Sequence, residues 1–300
     1  MVTYSIGLDM ELEKAHKTFI QSLKTLDRSA STVIAYQKDL EQLIEYLSKQ
    51  GLNNIAEVKL VHLKNFMESL AQKDYTAKSI SRKTNATKTF FRYIQVEGHI
   101  TSNPSDDLKH PKLESKAPRI LSRLEYGGLR DAAKNDIRTY AIIEVLLQTG
   151  VRIDELSKIN LEDFVIKDEK SGILVITEKR GHAKREIPLN HAVISAVKVY
   201  LNEERPKNVK SSYLFITKTG NPLLVRNIRS SITKYFAQAG IKNAKINDLR
   251  HTFVASNLAQ GVNISYLSKI AGHKRISTTE KYLEYIERDN LSEKHELSIL

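Results

Sequence analysis

Residues 272–282 read Gly-His-Lys-Arg-Ile-Ser-Thr-Thr-Glu-Lys-Tyr, which places Tyr282 nine residues after His273. Taken alone, both residues have ordinary structural explanations, because a histidine can cap a loop and a tyrosine can fill the apolar side of a helix. A second tyrosine, Tyr285, lies close to one helical turn further on. The interpretation of this segment therefore depends on the polar segments that precede it.

Three such segments precede it, each at a predicted turn or helix start. Residues 149–156 read Thr-Gly-Val-Arg-Ile-Asp-Glu-Leu and place Arg152 just before a short helix. Residues 178–185, Glu-Lys-Arg-Gly-His-Ala-Lys-Arg, form the basic tip of a predicted hairpin, and residues 247–251, Asn-Asp-Leu-Arg-His, open another helix. Each segment alone has a structural explanation too, such as an ion pair between Arg152 and Glu155.

The composition restricts the class of protein. The 300 residues carry 47 Lys plus Arg and 35 Asp plus Glu, a net charge of +12 that favours an anionic partner such as nucleic acid. The absence of cysteine excludes disulfide frameworks, thiol nucleophiles and cysteine-ligated metal sites. We find neither a signal-peptide pattern nor an apolar run of membrane-spanning length, so we expect a cytoplasmic protein without membrane contact.

A proline-containing segment divides the chain. Residues 101–118 hold three of the six prolines and little apolar periodicity, so we predict a linker between domains at residues 1–100 and 119–300. Up to residue 115 there are 16 basic and 14 acidic side chains (+2), and beyond it 31 and 21 (+10). Most of the positive charge therefore belongs to the second domain.

The spacing of apolar residues predicts a protein that is mainly α with a small antiparallel β-sheet. The first domain is expected to be a four-helix bundle, with helices at about residues 12–23, 33–47, 61–70 and 77–96. In the second domain, the predicted helices lie at about residues 121–133, 138–148, 191–204, 225–239, 248–260, 265–270 and 278–286. The predicted strands of the second domain lie at residues 172–177, 185–189 and 213–216.

The fourth predicted helix also carries basic side chains mixed with small polar ones. This composition suits a helix that lies along DNA and contacts its phosphates, although a solvated helix face explains it nearly as well. The residues that we assign to DNA contact are Arg82, Lys83, Lys88 and Arg92 of this helix, and Arg180, Lys184 and Arg185 of the hairpin tip.

In order and spacing, the polar segments resemble the motifs of the tyrosine recombinase (integrase) family, in particular its simple two-domain Xer-type members. The matches are at residues 149–156, 248–253 and 272–282, and Asn103-Pro-Ser in the linker also fits, so the resemblance covers nearly the whole chain. It implies a SAM-like core-binding domain followed by an α+β catalytic domain. It also implies a site-specific recombinase that cleaves and rejoins duplex DNA.

The resemblance gives the motif residues their roles. Tyr282 is the implied nucleophile, and its spacing from His273 favours it over Tyr285. It would form a 3′-phosphotyrosyl link and release a 5′-hydroxyl, which conserves the phosphodiester energy without a cofactor. Arg152 and Arg250 would hold the non-bridging phosphate oxygens, and His273 would add a hydrogen bond. We therefore expect no cofactor and no metal.

A lysine of the hairpin tip is the expected general acid for the leaving 5′-oxygen, because an arginine does not give up its proton near neutral pH. Lys179 fits the family position if the loop contains an extra residue, whereas an ungapped alignment reaches Arg180. We choose Lys179, with Lys184 as the alternative.

One position departs from the family pattern. The second motif usually begins with a histidine three residues before the second arginine, and here that position is Asn247. An amide forms hydrogen bonds but does not take up a proton. The group that deprotonates Tyr282 is therefore open, and His251 and His273 are the nearest candidates in the sequence.

The resemblance also implies an assembly and leaves the biological task open. The tail at about residues 286–300 has the apolar spacing of a helix that contacts a neighbouring subunit in relatives. The alternatives are a helix folded back on its own domain and a frayed terminus. We expect a homotetramer on two DNA sites with paired inverted repeats, and accessory DNA-bending proteins. Dimer or cointegrate resolution and integration of a mobile element both fit. The alternative functions are a catalytically weakened DNA-binding regulator and a type IB topoisomerase.

Overall fold

The structure is a computed structural model that describes residues 10–26, 28–114, 117–177 and 183–286. The chain separates into two compact units, Met1–Ser115 and Lys116–Leu300, so that the division falls within the proline-containing segment. No helix in the described ranges is both long and apolar enough to cross a membrane.

The N-terminal unit is a bundle of four helices, α1 (Leu12–Thr25), α2 (Ala30–Lys49), α3 (Leu60–Gln72) and α4 (Ala77–Val96). A 3₁₀ turn, Ile55–Glu57, precedes α3. Helices α2 and α4 begin where a hydroxyl side chain, that of Ser29 or Thr76, accepts a backbone N–H from the first turn. Their apolar faces form one core, in which the rings of Phe19 and Phe90 lie 5.5 Å apart. The predicted bundle is confirmed.

The second unit is built mainly of helices around α6, which is buried on nearly every side as its apolar sequence predicts. Its helices are α5 (Arg123–Ala133), α6 (Ile137–Thr149), α7 (Ile153–Leu156), α8 (His191–Val199), α9 (Val225–Gln238), α10 (Ile246–Ala259), α11 (Ile264–Ala271) and α12 (Ser277–Glu280). A π-helical turn, Tyr200–Glu204, continues α8, and a 3₁₀ turn, Lys281–Tyr285, continues α12.

Three antiparallel strands, β1 (Phe164–Ile166), β2 (Gly172–Ile176) and β3 (Arg185–Leu189), pair in chain order. The prediction of a strand at residues 213–216 is wrong, because Tyr213 and Ile216 form only isolated bridges. The apolar residues between them are buried in the core, which explains the strand-like pattern. The third strand is instead β1, whose three residues are too few to show alternation. The class, mainly α with a small antiparallel sheet, is confirmed.

Candidate active site

Two left-handed turns fix the first residues of the site. Helix α6 ends at Gly150 (φ +60°), where a Cβ atom would lie 2.3 Å from the ring of Phe253, and helix α11 ends at Gly272 (φ +68°). Glycine adopts this conformation without the strain that other residues incur. Arg152 lies two residues after Gly150, and His273 directly follows Gly272. The helix ends therefore fix the backbone positions of both residues.

Each turn also accepts a hydrogen bond from an arginine of another segment. Arg250, in α10, donates its Nη1–H to the carbonyl of Gly150, and Arg152 donates its Nη2–H to the carbonyl of Gly272 over 2.9 Å. Burial, and then the charge of Arg152, lower the pKa of Arg250 to about 10. Arg250 therefore stays protonated at neutral pH, and the two arginines, which we call the arginine clamp, place two positive charges together.

The carboxylate of Glu155 holds one arginine of the clamp, Arg152, in place. It accepts hydrogen bonds from both terminal nitrogens of Arg185 (3.0 and 2.7 Å) and from Nη1 (3.2 Å) and the backbone N–H (2.8 Å) of Arg152. Burial would raise the pKa of Glu155, but these hydrogen bonds and the two arginine charges lower it below its ordinary value. Glu155 is thus an anion that orients Arg152.

Arg185 is a structural residue. Its side chain is 4% exposed, and besides its two bonds to Glu155 it donates its Nε–H to the carbonyl of Ile270 over 2.9 Å. The prediction that Arg185 contacts DNA is wrong, because all three guanidinium nitrogens already bind within the unit. A Cβ atom on Gly272 would lie 2.8 Å from Cζ of Arg185, so this packing also requires the glycine.

One donor of the clamp is unused. Nη2 of Arg250 is buried and has no hydrogen-bond partner among the residues that the structure describes. Leaving a buried donor unpaired costs on the order of 1–3 kcal/mol, and more for a charged group. An anion such as a phosphate oxygen would pair with this donor, so the clamp is suited to bind an anion.

Tyr282 lies in the 3₁₀ turn beside the clamp. Its side chain is 6% exposed, and its hydroxyl oxygen is 2.6 Å from Nδ1 of His251. Burial raises the pKa of Tyr282, and the charge of Arg250 offsets this only in part. The phenol is therefore protonated at neutral pH and needs a base before it can act as a nucleophile. The rival Tyr285 is 39% exposed.

His273 stacks on Tyr282, with ring planes 10° apart and centroids 6.5 Å apart. Its Nδ1 is 2.7 Å from the hydroxyl of Thr279, so Nε2 is the nitrogen available to a substrate. Burial, and then the charges of Arg250 and Arg152, lower the pKa of His273 to about 3. The imidazole is therefore neutral at neutral pH.

The remaining predicted residues of the active site lie at its edge or beyond the described chain. Asn247 is exposed in the first turn of α10, one turn before His251 on the same helix face. Lys184 is exposed just before β3. Lys179 and Arg180 lie outside the described residues, as does the tail after residue 286.

The basic residues of α4 have different environments. Lys83 is 3% exposed, and its ammonium binds the carboxylate of Asp39 at 2.8 Å and the side chain of Gln42 at 2.5 Å. The prediction that Lys83 contacts DNA is wrong, because a buried ion pair occupies the group that would bind phosphate.

Three basic residues of α4 stay closer to solvent. Arg82 pairs with Asp39 while its side chain is 49% exposed, and Lys88 donates to the carbonyls of Asp106 and Leu108. Arg92 is exposed. Contact between these three residues and DNA stays a prediction.

The sequence alone assigned no site role to Glu155 or Thr279. The position of Glu155, three residues after Arg152, indicates an ion pair, but such a pair is most simply interpreted as a local feature of the helix. Thr279 had no signal, because its contact with His273 depends on how α12 turns back after α11.

Two family descriptions match the chain, the phage integrase family at residues 113–287 and the phage integrase N-terminal SAM-like domain at residues 17–98. The tyrosine recombinase XerC of Oceanobacillus iheyensis is 30% identical over 297 residues, covering 94% of this chain and 95% of the relative. A tyrosine recombinase of Thermosipho africanus is 28% identical, with 93% and 97% covered.

Solved structures also resemble this chain. The crystal structure of XerA recombinase is 26% identical with a TM-score of 0.52, covering 91% of this chain and 93% of that one. XerH recombinase bound to a palindromic difH substrate is 18% identical with a TM-score of 0.73, covering 91% and 81%. A lambda integrase dimer bound to a core site is 16% identical with a TM-score of 0.72, covering 95% and 81%. The last two show a shared fold.

Proposed function

The chain belongs to the phage integrase family of tyrosine recombinases, and on that basis we propose how its residues carry out the reaction. The protein is a site-specific recombinase, an enzyme that cleaves and rejoins DNA, and DNA is its partner. The two alternative functions, regulator and topoisomerase, are not favoured by these relatives.

We propose that Tyr282 is the nucleophile. Its phenol oxygen bonds to the scissile phosphorus while the bond from phosphorus to the 5′-oxygen breaks, which leaves a 3′-phosphotyrosyl link. Because the covalent link conserves the phosphodiester energy, a 5′-hydroxyl can reverse the step and join a new strand. The position of Tyr282 beside the clamp supports it over the more exposed Tyr285.

The arginine clamp is proposed to bind the non-bridging oxygens of the scissile phosphate. The unused Nη2 of Arg250 is the observation that carries this proposal. A purely structural arginine has its donors paired within the protein, as Arg185 does through Glu155 and Ile270. Charge develops on the phosphate oxygens as the nucleophile attacks, so fixed donors stabilise the transition state. His273, through Nε2, adds a further donor.

The general acid is proposed to be Lys179, with Lys184 as the alternative. We expect Lys179→Ala to bind DNA normally and to cleave slowly, because the 5′-oxygen leaves poorly without a proton. A substrate with sulfur at the bridging 5′ position should restore the rate, because a thiolate leaves without protonation. If only Lys184→Ala is slow and is rescued in this way, Lys184 is the acid.

The proposed assembly is a homotetramer on two duplex sites with inverted repeats. A lambda integrase tetramer bound to a Holliday junction shares the fold at 16% identity and a TM-score of 0.71, which supports the proposal. The proposal also includes accessory DNA-bending proteins and a cytoplasmic location. Resolution and integration require the same chemistry and differ in how the two sites are arranged.

A nicked suicide duplex tests the function. Its site is first selected from randomised duplexes by binding to the protein. The wild type should form an SDS-resistant protein–DNA adduct, Tyr282→Phe should form none, and the matched control Tyr285→Phe should form as much as the wild type. Tight binding without an adduct would instead favour the regulator. Relaxation of arbitrary supercoiled DNA without joined products would favour the topoisomerase.

A further inference from the structure

The proton of Tyr282 has no acceptor at the position where the family pattern places a histidine. Asn247 occupies that position, and an amide does not take up a proton. One helical turn further along α10, Nδ1 of His251 lies 2.6 Å from the hydroxyl oxygen of Tyr282, at the short end of the hydrogen-bond range.

We propose that His251 is the catalytic base of this enzyme and takes over the role that the asparagine cannot fill. The inference rests on the proposed role of Tyr282 as nucleophile. As the phenol oxygen bonds to phosphorus, its O–H bond breaks and the proton moves to Nδ1 of His251, while the leaving 5′-oxygen takes a proton from the hairpin lysine. On rejoining, the His251 imidazolium returns its proton to the phenol oxygen.

Packing fixes the two reacting groups against each other. The rings of His251 and Tyr282 lie with centroids 5.8 Å apart and planes at 42°. Helix α10 is held on both sides of His251, because Arg250 donates to Gly150 and the hydroxyl of Thr252 accepts the backbone N–H of Leu121 at 2.8 Å. A base at hydrogen-bond distance from its proton meets the geometric requirement for general base catalysis.

The surroundings of His251 keep it ready to accept a proton. The titratable groups facing it are Asp248 and Arg250 of its own helix, Tyr282 of the 3₁₀ turn, and His273 of the turn after α11. Burial lowers the pKa of His251, Asp248 opposes this, and Arg250 adds to it. The imidazole is therefore neutral at neutral pH, and the carboxylate of Asp248 stabilises the cation formed on proton uptake.

His273 does not fit the same role. Its Nδ1 is engaged with the hydroxyl of Thr279. Burial, and then the charges of the two clamp arginines, lower its pKa to about 3, too low for an effective base near neutral pH. The two histidines thus differ in their contacts: Nδ1 of His251 contacts the proposed nucleophile, whereas Nδ1 of His273 contacts Thr279 and leaves Nε2 for the proposed phosphate.

The first test needs no DNA. In the full-length protein labelled with ¹⁵N-histidine, His251 is assigned by the loss of its signals in His251→Gln. We expect its proton on Nε2 at pH 7, and we expect Tyr282→Phe to shift the Nδ1 resonance. A proton on Nδ1 would mean that His251 donates to the tyrosine, and it would overturn the proposal.

The second test measures the rate of adduct formation on the suicide duplex. His251→Asn keeps a hydrogen-bond acceptor near the place of Nδ1 but does not take up a proton, so we expect cleavage to slow by about 10²- to 10⁴-fold. Its rate should rise with pH as hydroxide takes over as the base. Imidazole should restore part of the activity of His251→Ala. The matched control is His191→Asn, which changes an exposed histidine of the same unit and should have no effect.

These outcomes separate the inference from the proposed function. An adduct that requires Tyr282 but forms at the wild-type rate in His251→Asn would overturn the role of His251 and leave the recombinase chemistry intact. A slow His251→Asn with a wild-type pH profile, together with no rescue of His251→Ala by imidazole, would reduce His251 to a positioning residue. If the wild type forms no adduct on its selected site, the proposed function itself fails.

Discussion

Both units of the protein contain buried cations, and Lys83 of the first unit and Arg250 of the second are paired in opposite ways. Lys83 is 3% exposed and binds a carboxylate, that of Asp39. Arg250 is 9% exposed and binds one backbone carbonyl, and the charged groups near it are Arg152, Glu155 and Arg185. A buried charge is costly unless it is paired. Lys83 is therefore paired with a carboxylate within the fold, whereas Arg250 has no hydrogen-bonded carboxylate among the described residues and keeps one donor for a ligand.

The environment of a cation thus distinguishes structure from function better than its position in a basic segment. Lys83 lies in a helix predicted from the sequence to contact DNA, and Arg250 lies in a motif to which the resemblance assigns phosphate binding. Of these two residues, Arg250 has the unpaired donor. How each cation is paired determines how much stability or activity a substitution is expected to remove.

Removing the buried lysine should give the largest effect. Lys83→Met leaves the carboxylate of Asp39 buried with only Arg82 as a partner, so we expect the free energy of unfolding to fall by about 3–5 kcal/mol. Urea denaturation of the full-length protein measures this change. The double variant Lys83→Met/Asp39→Leu should recover most of the loss, because an apolar pair needs no charge compensation. Wild-type stability in the single variant would show that the pair contributes little.

Removing the buried arginine should have a comparable effect on catalysis and little effect on stability. Arg250→Gln removes a clamp donor, which we expect to slow adduct formation by about 10²- to 10³-fold, or about 2.7–4 kcal/mol. The amide still offers a donor to the carbonyl of Gly150, and a buried unpaired charge is gone. The free energy of unfolding should therefore stay within about 1 kcal/mol of the wild type. A loss as large as that of Lys83→Met would contradict the distinction between the two cations.

The carboxylate of Glu155, which binds Arg152 of the clamp, should make the free energy of unfolding depend on pH. The folded-state pKa of Glu155 is depressed, so its stabilisation is present above its ordinary value of 4.5 and is lost as pH falls through the folded value. Glu155→Gln should be less stable than the wild type at neutral pH by about 1–3 kcal/mol, because the charged hydrogen bonds to Arg185 are weakened. Denaturation curves at several pH values should show this gap narrowing below pH 4.5. A gap that is independent of pH would contradict the role of the carboxylate charge.

The smallest effect is expected for an exposed cation. Arg92→Gln should leave stability within about 0.5 kcal/mol of the wild type. If Arg92 contacts a phosphate, DNA binding should weaken for all sequences, and the slope of log affinity against log salt should fall by about one. Binding measured at several salt concentrations tests this, and an unchanged slope would remove Arg92 from the DNA surface.

Features with a local signal were predictable from the sequence. The bounds of α4 match the predicted residues 77–96, because its cap and apolar spacing both lie within the helix. The burial of α6 followed from its apolar composition. The motif residues Arg152, Arg250, His273 and Tyr282 lie in one unit, where His273 stacks on Tyr282 and is influenced by the charges of both arginines. Their roles in the reaction stay predictions.

The rest depends on contacts that local patterns do not contain. Lys83 is 44 residues from Asp39, so nothing in its own helix marks it as buried. The apolar run at residues 213–216 is buried without belonging to a sheet, which periodicity cannot distinguish from a strand. The contact between His251 and Tyr282 spans 31 residues and depends on how the 3₁₀ turn packs on α10.

The carbonyls of Gly150 and Gly272 also determine when, during synthesis and folding, the clamp can form. Arg250 is held by a turn 100 residues earlier in the chain, and Arg152 by a turn 120 residues later. Each arginine of the clamp is thus held by a contact with a distant segment. Contacts of this sequence separation form slowly, because long loops must close first. During synthesis the clamp therefore forms only after α11 and Gly272 have left the ribosome. With the clamp as the proposed phosphate site, a nascent or partly folded chain accordingly cannot yet cleave DNA.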